Sequence, residues 1–184
     1  MVYVFLANGF EEVEALTPID CLRRCGIKVV TVGVGGEYIT SSHNITVKAD
    51  ITEDKVELSK DIQMIICPGG MPGTLNLEKS ETVQNTIDFC VQNDIYVACI
   101  CAGPIILGHK GLLNGKTACC YQGFEKDLIG ANVIYDAVAV DGKFITSRGM
   151  GVALDFGVKL VEVLKSKEVA SDLLNKIMYP TVWV

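Results

Sequence analysis

One cysteine of the sequence stands where an apolar strand is predicted to turn directly into a helix. Residues 95–100 form an apolar run suited to a strand buried on both faces, and Cys101 follows them at once. Gly103 and Pro104 come next, and proline is tolerated in the first turn of a helix, where its missing N–H costs nothing. Cys99 and Gly103, two residues to either side, are small, as a sharp corner that carries a nucleophile requires.

The position of Cys101 ahead of a helix predicts a reactive thiolate. The positive end of a helix favours an anion beside it, so we expect thiolate to be favoured over thiol at this residue. The alternative is a structural role, because cysteine is among the most buried residue types and usually behaves as a small hydrophobe. Neither histidine is expected to act as its base, since His109 lies about two helical turns further on and His43 is predicted to be exposed.

Two glycines follow another predicted buried strand and suit an oxyanion-binding loop. The strand over 62–67 runs into Pro68, Gly69 and Gly70, where backbone N–H groups have no side chains in the way. We expect this loop to give a second donor to an oxyanion, the first being the amide of Ala102. The alternative is an ordinary loop in which glycine serves only to allow a positive φ.

Three glutamates follow the first predicted strand, and one of them is a candidate partner for the thiol. Sites gather beyond the carboxyl ends of the strands in an open parallel sheet, where Glu11, Glu12 and Glu14 lie. The alternative for each is a solvated residue in the first turn of a helix. Glu14 shares a helical stripe with Glu11 and lies near Phe10, so we expect it to be tucked against the strand ends. A partly buried carboxyl beside a thiolate has a raised pKa, so it stays protonated and donates to sulfur, or moves a proton for the substrate.

The spacing of the cysteines does not indicate a metal site. Cys99 and Cys101 are separated by one residue and Cys119 is adjacent to Cys120, and neither is a zinc-ligand spacing. Neighbouring residues on a strand also point to opposite faces of the sheet. We therefore predict no metal.

The rest of the sequence predicts strands and helices in alternation, the order that builds a parallel sheet within one α/β sandwich. We expect a single domain over residues 1–184. The predicted strands cover residues 2–6, 27–34, 62–67 and 95–100, with a small pair at 37–40 and 44–48, a short strand at 117–121, and a hairpin of 133–140 with 143–147. The predicted helices cover residues 11–24, 80–92, 104–109, 152–165 and 166–177, with single turns at 53–58 and 124–129.

Composition argues against several classes of partner. The chain has 184 residues, enough for a full-sized core, and its net charge of −6 argues against nucleic acid or an anionic membrane as the main partner. No apolar run approaches the length of a membrane span, and the apolar N-terminus lacks the basic region of a signal peptide. Eight cysteines in a chain without an export signal point to thiols in a reducing cytoplasm.

Four motifs together resemble those of the ThiJ/PfpI superfamily and, within it, the DJ-one-like clade. They are the runs 9–14 (Gly-Phe-Glu-Glu-Val-Glu), 67–70 (Cys-Pro-Gly-Gly), 98–104 (Ala-Cys-Ile-Cys-Ala-Gly-Pro) and 146–149 (Thr-Ser-Arg-Gly). They occur in the family's order, and the resemblance covers essentially the whole chain. It implies a three-layer α/β sandwich, with a flavodoxin-like, mostly parallel sheet and helices on both faces, that forms a homodimer.

The resemblance also implies roles for particular residues. The family's nucleophilic, readily oxidised cysteine corresponds to Cys101, and its partner carboxylate corresponds to Glu14. The family's oxyanion donors correspond to the backbone of Gly70 and Ala102. We add as candidate pocket residues Gly69, Cys120, Tyr121, Arg148 and His43.

Several activities are attributed to this family, and the resemblance implies that this chain uses no cofactor. They include conversion of methylglyoxal or glyoxal to the hydroxy acid, and deglycation of early adducts, in protection from oxidative or carbonyl stress. Redox sensing and chaperone-like protection are attributed to it as well, and an older label ties the clade to thiamine-thiazole biosynthesis. The resemblance therefore implies a small 2-oxoaldehyde or a glycated compound as the partner.

Two departures from the family pattern reduce the number of functions that fit this chain. The peptidase branch has a histidine directly after the cysteine, where this chain has Ala102, so a peptidase is disfavoured. Relatives with glyoxalase activity often carry a histidine on the strand after the elbow helix, and Cys120 stands nearest to that position. Two hypotheses remain: a Cys101-dependent glyoxalase or deglycase, and a non-catalytic sensor in which oxidation of Cys101 to the sulfinic acid alters a dimer surface.

Overall fold

The apolar runs of the sequence form the strands of a seven-stranded sheet. The protein is described by a computed structural model that covers residues 1–179. Its elements in chain order are β1 (Val2–Ala7), α1 (Glu12–Arg24), β2 (Val29–Val34), β3 (Tyr38–Thr40), β4 (Thr46–Lys48), β5 (Ile51–Thr52), β6 (Met64–Cys67), α2 (Gly73–Lys79), α3 (Glu81–Gln92), β7 (Tyr96–Ile100), α4 (Pro104–His109), β8 (Thr117–Ala118), β9 (Asn132–Val133), β10 (Val138–Asp141), β11 (Phe144–Ser147), α5 (Ala153–Leu164) and α6 (Lys167–Lys176). Short 3-10 turns cover Glu53–Lys55, Glu125–Asp127 and Met150–Val152.

The order of the strands brings three loops together at one edge of the sheet. The order is β10-β11-β7-β6-β1-β2-β5, and each neighbouring pair is parallel except β10 with β11. Parallel strands end at the same edge, and β6 lies between β1 and β7. The loops that follow these strands, which carry Glu14, Gly70 and Cys101, therefore lie side by side.

Both faces of the sheet are covered, as the continuous apolar strands predict. In β7, Ala98 and Ile100 pack into a core with residues of α1, α5 and α6, whereas Val97 and Cys99 pack into a second core with residues of α3 and α4. Alternate residues of a strand point to opposite faces, so a strand covered on both sides is apolar throughout. The predicted α/β fold, a flavodoxin-like and mostly parallel sheet with helices on both faces, is confirmed.

The predicted small strand pair and the predicted hairpin at Asp141 and Gly142 are both present. β3 pairs with β4 in a separate antiparallel sheet. β10 pairs with β11 across the predicted turn at Asp141 and Gly142, where Gly142 has a φ of +61°. Such a turn favours residues that tolerate a positive φ, which is why the Asp-Gly pair predicts it.

The strands predicted over 133–140 and 117–121 are shorter than expected. The first is interrupted, because Val133 pairs with Ala118 in a separate two-stranded sheet and Tyr135 is 67% exposed. The second ends at Ala118, because the amide of Cys119 donates to the Thr146 hydroxyl at 2.9 Å rather than to a neighbouring strand. Tertiary contacts therefore override the local apolar pattern at both places.

The sequence signals do not predict α2. This helix begins at Gly73 after Pro72, without a side-chain N-cap, and glycine is a weak helix former. Glycine is needed there because a Cβ at this position would lie 2.6 Å from the Cα of Phe10. Close packing against the loop after β1 therefore decides the residue type, at the expense of helix propensity.

The helices are short. The longest in the described part of the chain, α1, has 13 residues. Within residues 1–179, no helix combines the length and the apolar character that crossing a bilayer requires.

Ser80 allows a stability test of a predicted helix start. Its Oγ accepts the amide of Val83 at 3.3 Å as the N-cap of α3, and it donates to the Glu53 carboxylate at 2.6 Å. We expect Ser80→Ala to lower the free energy of unfolding by about 1–2 kcal/mol, because both groups lose a partner. The control Ser171→Ala, at an exposed position of α6, should change it by less than about 0.5 kcal/mol. Urea unfolding measures both variants, and equal effects would contradict the capping role.

Candidate active site

Cys101 occupies a sharp corner between β7 and α4. Its φ of +62° lies in the left-handed region, which residues other than glycine rarely adopt and which is frequent at functional sites. The Cys101 amide donates to the Ser147 carbonyl at 2.9 Å, and its carbonyl accepts the Tyr121 amide at 2.8 Å. A Cβ on Gly103 would lie 2.5 Å from the Cys67 carbonyl oxygen, so the corner requires glycine there. Neighbouring strands and loops therefore hold the backbone of the cysteine in place.

Glu14 is buried against the same corner. It lies in the first turn of α1 and is 1% exposed. Its Oε2 accepts the Gly69 amide at 3.1 Å, and the carboxyl lies within hydrogen-bonding range of the Cys101 sulfur and of the Met150 amide. Burial raises the pKa of Glu14 to about 7. The carboxyl is thus able to take up and release a proton near neutral pH.

Two glycines leave room for this contact. A Cβ on Gly69 would lie 2.5 Å from both the Cys101 Cβ and the Glu14 Oε2, so a side chain there would separate thiol from carboxyl. Gly70 has a φ of +90°, and its amide and that of Ala102 lie within hydrogen-bonding range of the Cys101 sulfur. The structure therefore brings these five sequence-predicted residues together at the carboxyl edge of the sheet.

The charge state of Cys101 differs from the prediction made from the helix end alone. Burial, the charge of Glu14 and the hydrogen bond to Glu14 raise the pKa of the Cys101 thiol far above its ordinary value. The amides of Ala102 and Gly70 lower this pKa but offset only part of the rise. The predicted preference for thiolate is therefore wrong while Glu14 is ionised. The positive helix end favours the thiolate, but the negative charge of the carboxylate in contact with the sulfur outweighs this effect.

Cys101 and Glu14 form a coupled acid pair. Ionising both groups would place two negative charges in contact within a buried site, so each ionised group disfavours ionisation of the other. When Glu14 is protonated, its carboxylic acid donates a hydrogen bond to sulfur and the repulsion disappears. The pair is therefore suited to hold one proton, and thiolate is accessible when that proton sits on Glu14.

Tyr121, Arg148, Gly149 and Met150 contribute to the lining of a cavity of about 350 Å³. Gly149 is the link between this cavity and the thiol, since a Cβ there would lie 3.9 Å from the Cys101 Sγ and 3.3 Å from the Tyr121 ring. Two sequence-predicted pocket residues, Tyr121 and Arg148, therefore line this cavity. Met150 is a lining residue that the sequence does not predict, since its one signal is its place directly after the Arg-Gly run.

The other two candidate pocket residues, Cys120 and His43, make no side-chain hydrogen bond to Cys101 within residues 1–179. Cys120 is buried in the core that contains α3 and α4, where burial raises the pKa of its thiol to about 12. His43 is exposed, and its Nδ1 lies 3.0 Å from the Glu12 Oε1. Among the hydrogen bonds of residues 1–179, none joins either side chain to Cys101.

One group of side chains in the described part of the chain has metal-ligand proximity. Glu11, Glu12 and His43 each place a ligand atom within 4.8 Å of the others. The prediction of no metal rested on cysteine spacing and did not include this group, because His43 is 31 residues from Glu12. Contacts within the chain account for this arrangement, because the Glu11 carboxylate accepts the Glu14 amide at 2.6 Å and the Glu12 carboxylate contacts the His43 ring.

Comparison with known proteins gives consistent matches in sequence and structure. The model of the DJ-1/PfpI family matches residues 1–163. Protein dj-1beta of Drosophila melanogaster is 32% identical over 178 residues, which is 95% of each chain. The glutathione-independent glyoxalase DJR-1.2 of Caenorhabditis elegans is 29% identical over 168 residues, 91% of this chain and 89% of the relative. Oxidized Toxoplasma gondii DJ-1 superposes with a TM-score of 0.92 at 34% identity, covering 97% of both chains.

Fold and site together define a flavodoxin-like α/β protein with a cysteine at a strand-to-helix corner and a buried glutamate beside it. The family match over residues 1–163, and relatives above 30% identity along nearly the whole chain, show that this protein belongs to the DJ-1/PfpI family. The resemblance drawn from the sequence motifs is therefore confirmed.

The burial of Glu14 predicts a pH-dependent stability. Its pKa is about 7 in the folded protein and has an ordinary value of 4.5, so the folded state binds this proton more tightly than the unfolded chain. The stabilisation is complete below pH 4.5 and is lost as the pH rises through about 7, and it amounts to about 3 kcal/mol at most. Glu14→Gln should remove this part of the pH dependence while keeping an acceptor for the Gly69 amide. Urea unfolding of both proteins across this pH range measures the difference, and parallel profiles would contradict the raised pKa.

Proposed function

We propose that this protein converts 2-oxoaldehydes, such as methylglyoxal and glyoxal, to 2-hydroxy acids without a cofactor, and removes early glycation adducts of these aldehydes. The function would protect against oxidative and carbonyl stress. The observation that carries the proposal is the contact between Cys101 and Glu14 at a corner where two backbone amides face the sulfur. These groups supply the nucleophile, the proton carrier and the oxyanion site that the reaction needs. A relative from Caenorhabditis elegans is named a glutathione-independent glyoxalase, which supports this class of activity.

The reaction begins with addition of the Cys101 thiolate to the aldehyde carbon while Glu14 is protonated. The new S–C bond turns the aldehyde oxygen into an alkoxide, which accepts hydrogen bonds from the amides of Gly70 and Ala102. The alkoxide then takes the proton of Glu14, and the product is a hemithioacetal. A pKa of about 7 suits Glu14 to this transfer, because it is protonated before the step and ionised after it.

The next steps move hydrogen between the two carbons of the substrate. Ionised Glu14 removes the proton from the former aldehyde carbon and returns it to the neighbouring carbonyl carbon, while the hydroxyl proton passes to the former carbonyl oxygen. The product is a thioester of the 2-hydroxy acid on Cys101, which water hydrolyses to the free acid and the thiol. One carbon is oxidised and the other is reduced, so the net change is addition of water and no external electron carrier is needed.

Lactate formation from methylglyoxal tests this proposal. We expect Cys101→Ser to reduce the rate by at least about a thousandfold, because a hydroxyl is a far poorer nucleophile than a thiolate. Glu14→Gln should reduce it by about a hundredfold or more through loss of the proton carrier. Cys25→Ser is the control, since this half-buried thiol packs against the core just after the end of α1, at the opposite end of that helix from Glu14. Undiminished lactate formation by Cys101→Ser would exclude the mechanism.

We propose a redox sensor as the second candidate function. The observation that favours it is the structural similarity to an oxidized relative, Toxoplasma gondii DJ-1. Two successive reactions with hydrogen peroxide would each transfer one oxygen atom to the Cys101 sulfur and release one water, giving a sulfinate. The amides of Gly70 and Ala102 and a protonated Glu14 would donate hydrogen bonds to its oxygens. Absence of lactate formation together with selective oxidation of Cys101 under mild peroxide would favour this function over catalysis.

We propose that the protein is a homodimer that associates through α1. Val13 and Leu16 are 39% and 40% exposed on this helix, and Leu16, Leu154 and Ile177 border a cavity of about 460 Å³ beside them. Apolar side chains shared by adjacent helices at a surface are typical of an interface. Because Glu14 belongs to the same helix, such an interface would adjoin the active site and link its oxidation state to a surface that a partner reads.

Sedimentation measurements test the dimer. We expect Leu16→Glu to shift the protein to monomer, because the new charge would be buried between two copies. Leu75→Glu is the matched control, since this leucine is 38% exposed on α2 and lies outside the proposed interface. A monomeric wild-type protein at micromolar concentration would contradict the proposal.

The charge and the thiols support the remaining expectations about partners and location. A net charge of −6 favours a small molecule over nucleic acid or an anionic membrane as the partner. The eight cysteines are free thiols, and on this ground we propose a reducing, cytoplasmic location.

A further inference from the structure

Arg148 is a cation at the rim of the active site that has no carboxylate partner among the residues the structure describes. The other two arginines, Arg23 and Arg24, each form an ion pair with an aspartate. The contacts of the Arg148 guanidinium within residues 1–179 are instead with Tyr135, whose carbonyl lies 3.4 Å from Nη1 and whose ring centroid lies 5.6 Å from Cζ. The guanidinium therefore keeps its capacity for a bidentate contact with a carboxylate or a phosphate.

The free guanidinium belongs to the cavity beside the nucleophile. Arg148 and Gly149 both contribute to the lining of that cavity. A Cβ on Gly149 would lie 3.9 Å from the Cys101 Sγ and 3.7 Å from the Glu14 Oε1, so the wall of the cavity at this glycine adjoins both reacting groups. A substrate bonded to the sulfur through its aldehyde carbon would extend its remaining atoms past Gly149 toward Arg148.

The size of the cavity indicates a substrate larger than methylglyoxal. Its volume of about 350 Å³ falls in the range of about 300–1,000 Å³ that is typical of small-molecule sites. Methylglyoxal carries only a methyl group beyond its two carbonyl groups and would leave most of this space to water. The cavity therefore has room for a longer substituent that ends in a charged group.

An anionic substituent requires a cation at its charged end. The protein carries a net charge of −6, and the acid pair of Cys101 and Glu14 holds a negative charge whenever it has lost one proton. An anionic aldehyde would be repelled by this pair unless a cation faced its charged end. Arg148 lies where that cation is needed.

We propose that the preferred substrates are 2-oxoaldehydes, or their early adducts, that carry a carboxylate or a phosphate beyond the reacting carbonyl, and that Arg148 binds this anion. The inference rests on the proposed function, since the aldehyde group reacts with Cys101 through the same steps. Arg148 acts as a binding residue and takes no part in proton transfer.

Competition between a charged and a neutral substrate tests the proposal. The compound 4,5-dioxopentanoate has the same 2-oxoaldehyde group as methylglyoxal and ends in a carboxylate. We expect the ratio of kcat/KM for 4,5-dioxopentanoate to kcat/KM for methylglyoxal to exceed one in the wild type and to fall about tenfold in Arg148→Gln, through loss of a charge-assisted hydrogen bond. Arg148→Lys should restore part of the ratio. Arg24→Gln, which changes the net charge equally at the far end of α1, should leave it unchanged.

Alkylation of Cys101 tests the anion site without any turnover. Iodoacetate and iodoacetamide react at the same kind of carbon, and only the first carries a negative charge. We expect the ratio of their rate constants at Cys101, measured by mass spectrometry of the labelled peptide, to fall about tenfold in Arg148→Gln and to remain unchanged in Arg24→Gln.

The two measurements separate failure of this inference from failure of the proposed function. If the wild type consumes neither aldehyde but Arg148→Gln still lowers the alkylation ratio, the proposed function is wrong and the anion site stands. If the wild type forms lactate from methylglyoxal but neither ratio changes in Arg148→Gln, the anion site is wrong and the function stands.

Discussion

The approach of a buried carboxyl to a thiol sets the chemistry of this protein. Glu14 and Cys101 are in contact only because Gly69 places no side chain between them. Burial alone raises the pKa of a carboxyl, and a sulfur in contact with it couples the two ionisations. One proton is then shared between an acid and a nucleophile, so the same contact provides a thiolate and the acid that protonates its product.

The topology of the sheet is what makes this contact possible. The carboxyl comes from the helix after β1, the glycine loop from the end of β6, and the thiol from the end of β7. Parallel pairing of these three adjacent strands aligns their ends at one edge, so three distant parts of the chain meet within hydrogen-bonding distance. Hydrogen bonds from Cys101 to β11 and to the segment after β8 hold the corner from the other side.

The charges around the site are arranged in two layers. The inner layer is the acid pair, which holds the thiolate when its one proton sits on Glu14 and whose negative charge repels anions. The outer layer contains Arg148, which lies near the Tyr135 ring and has no carboxylate partner within residues 1–179. A guanidinium in this position would offset the repulsion at one side of the cavity.

Local features of this protein follow from its amino-acid pattern, whereas the chemistry of the site depends on contacts between distant segments. Residues 95–104 encode a buried strand, a corner and a helix through their own side chains, so both the fold class and the place of Cys101 were predictable. The acidic run and the glycine loop were also visible. The pKa of Cys101 was mispredicted, and Met150 and α2 were missed, because these depend on contacts across long separations, such as the 55 residues between Glu14 and Gly69. Local patterns report backbone preference and burial, whereas a charge state depends on what the fold places beside it.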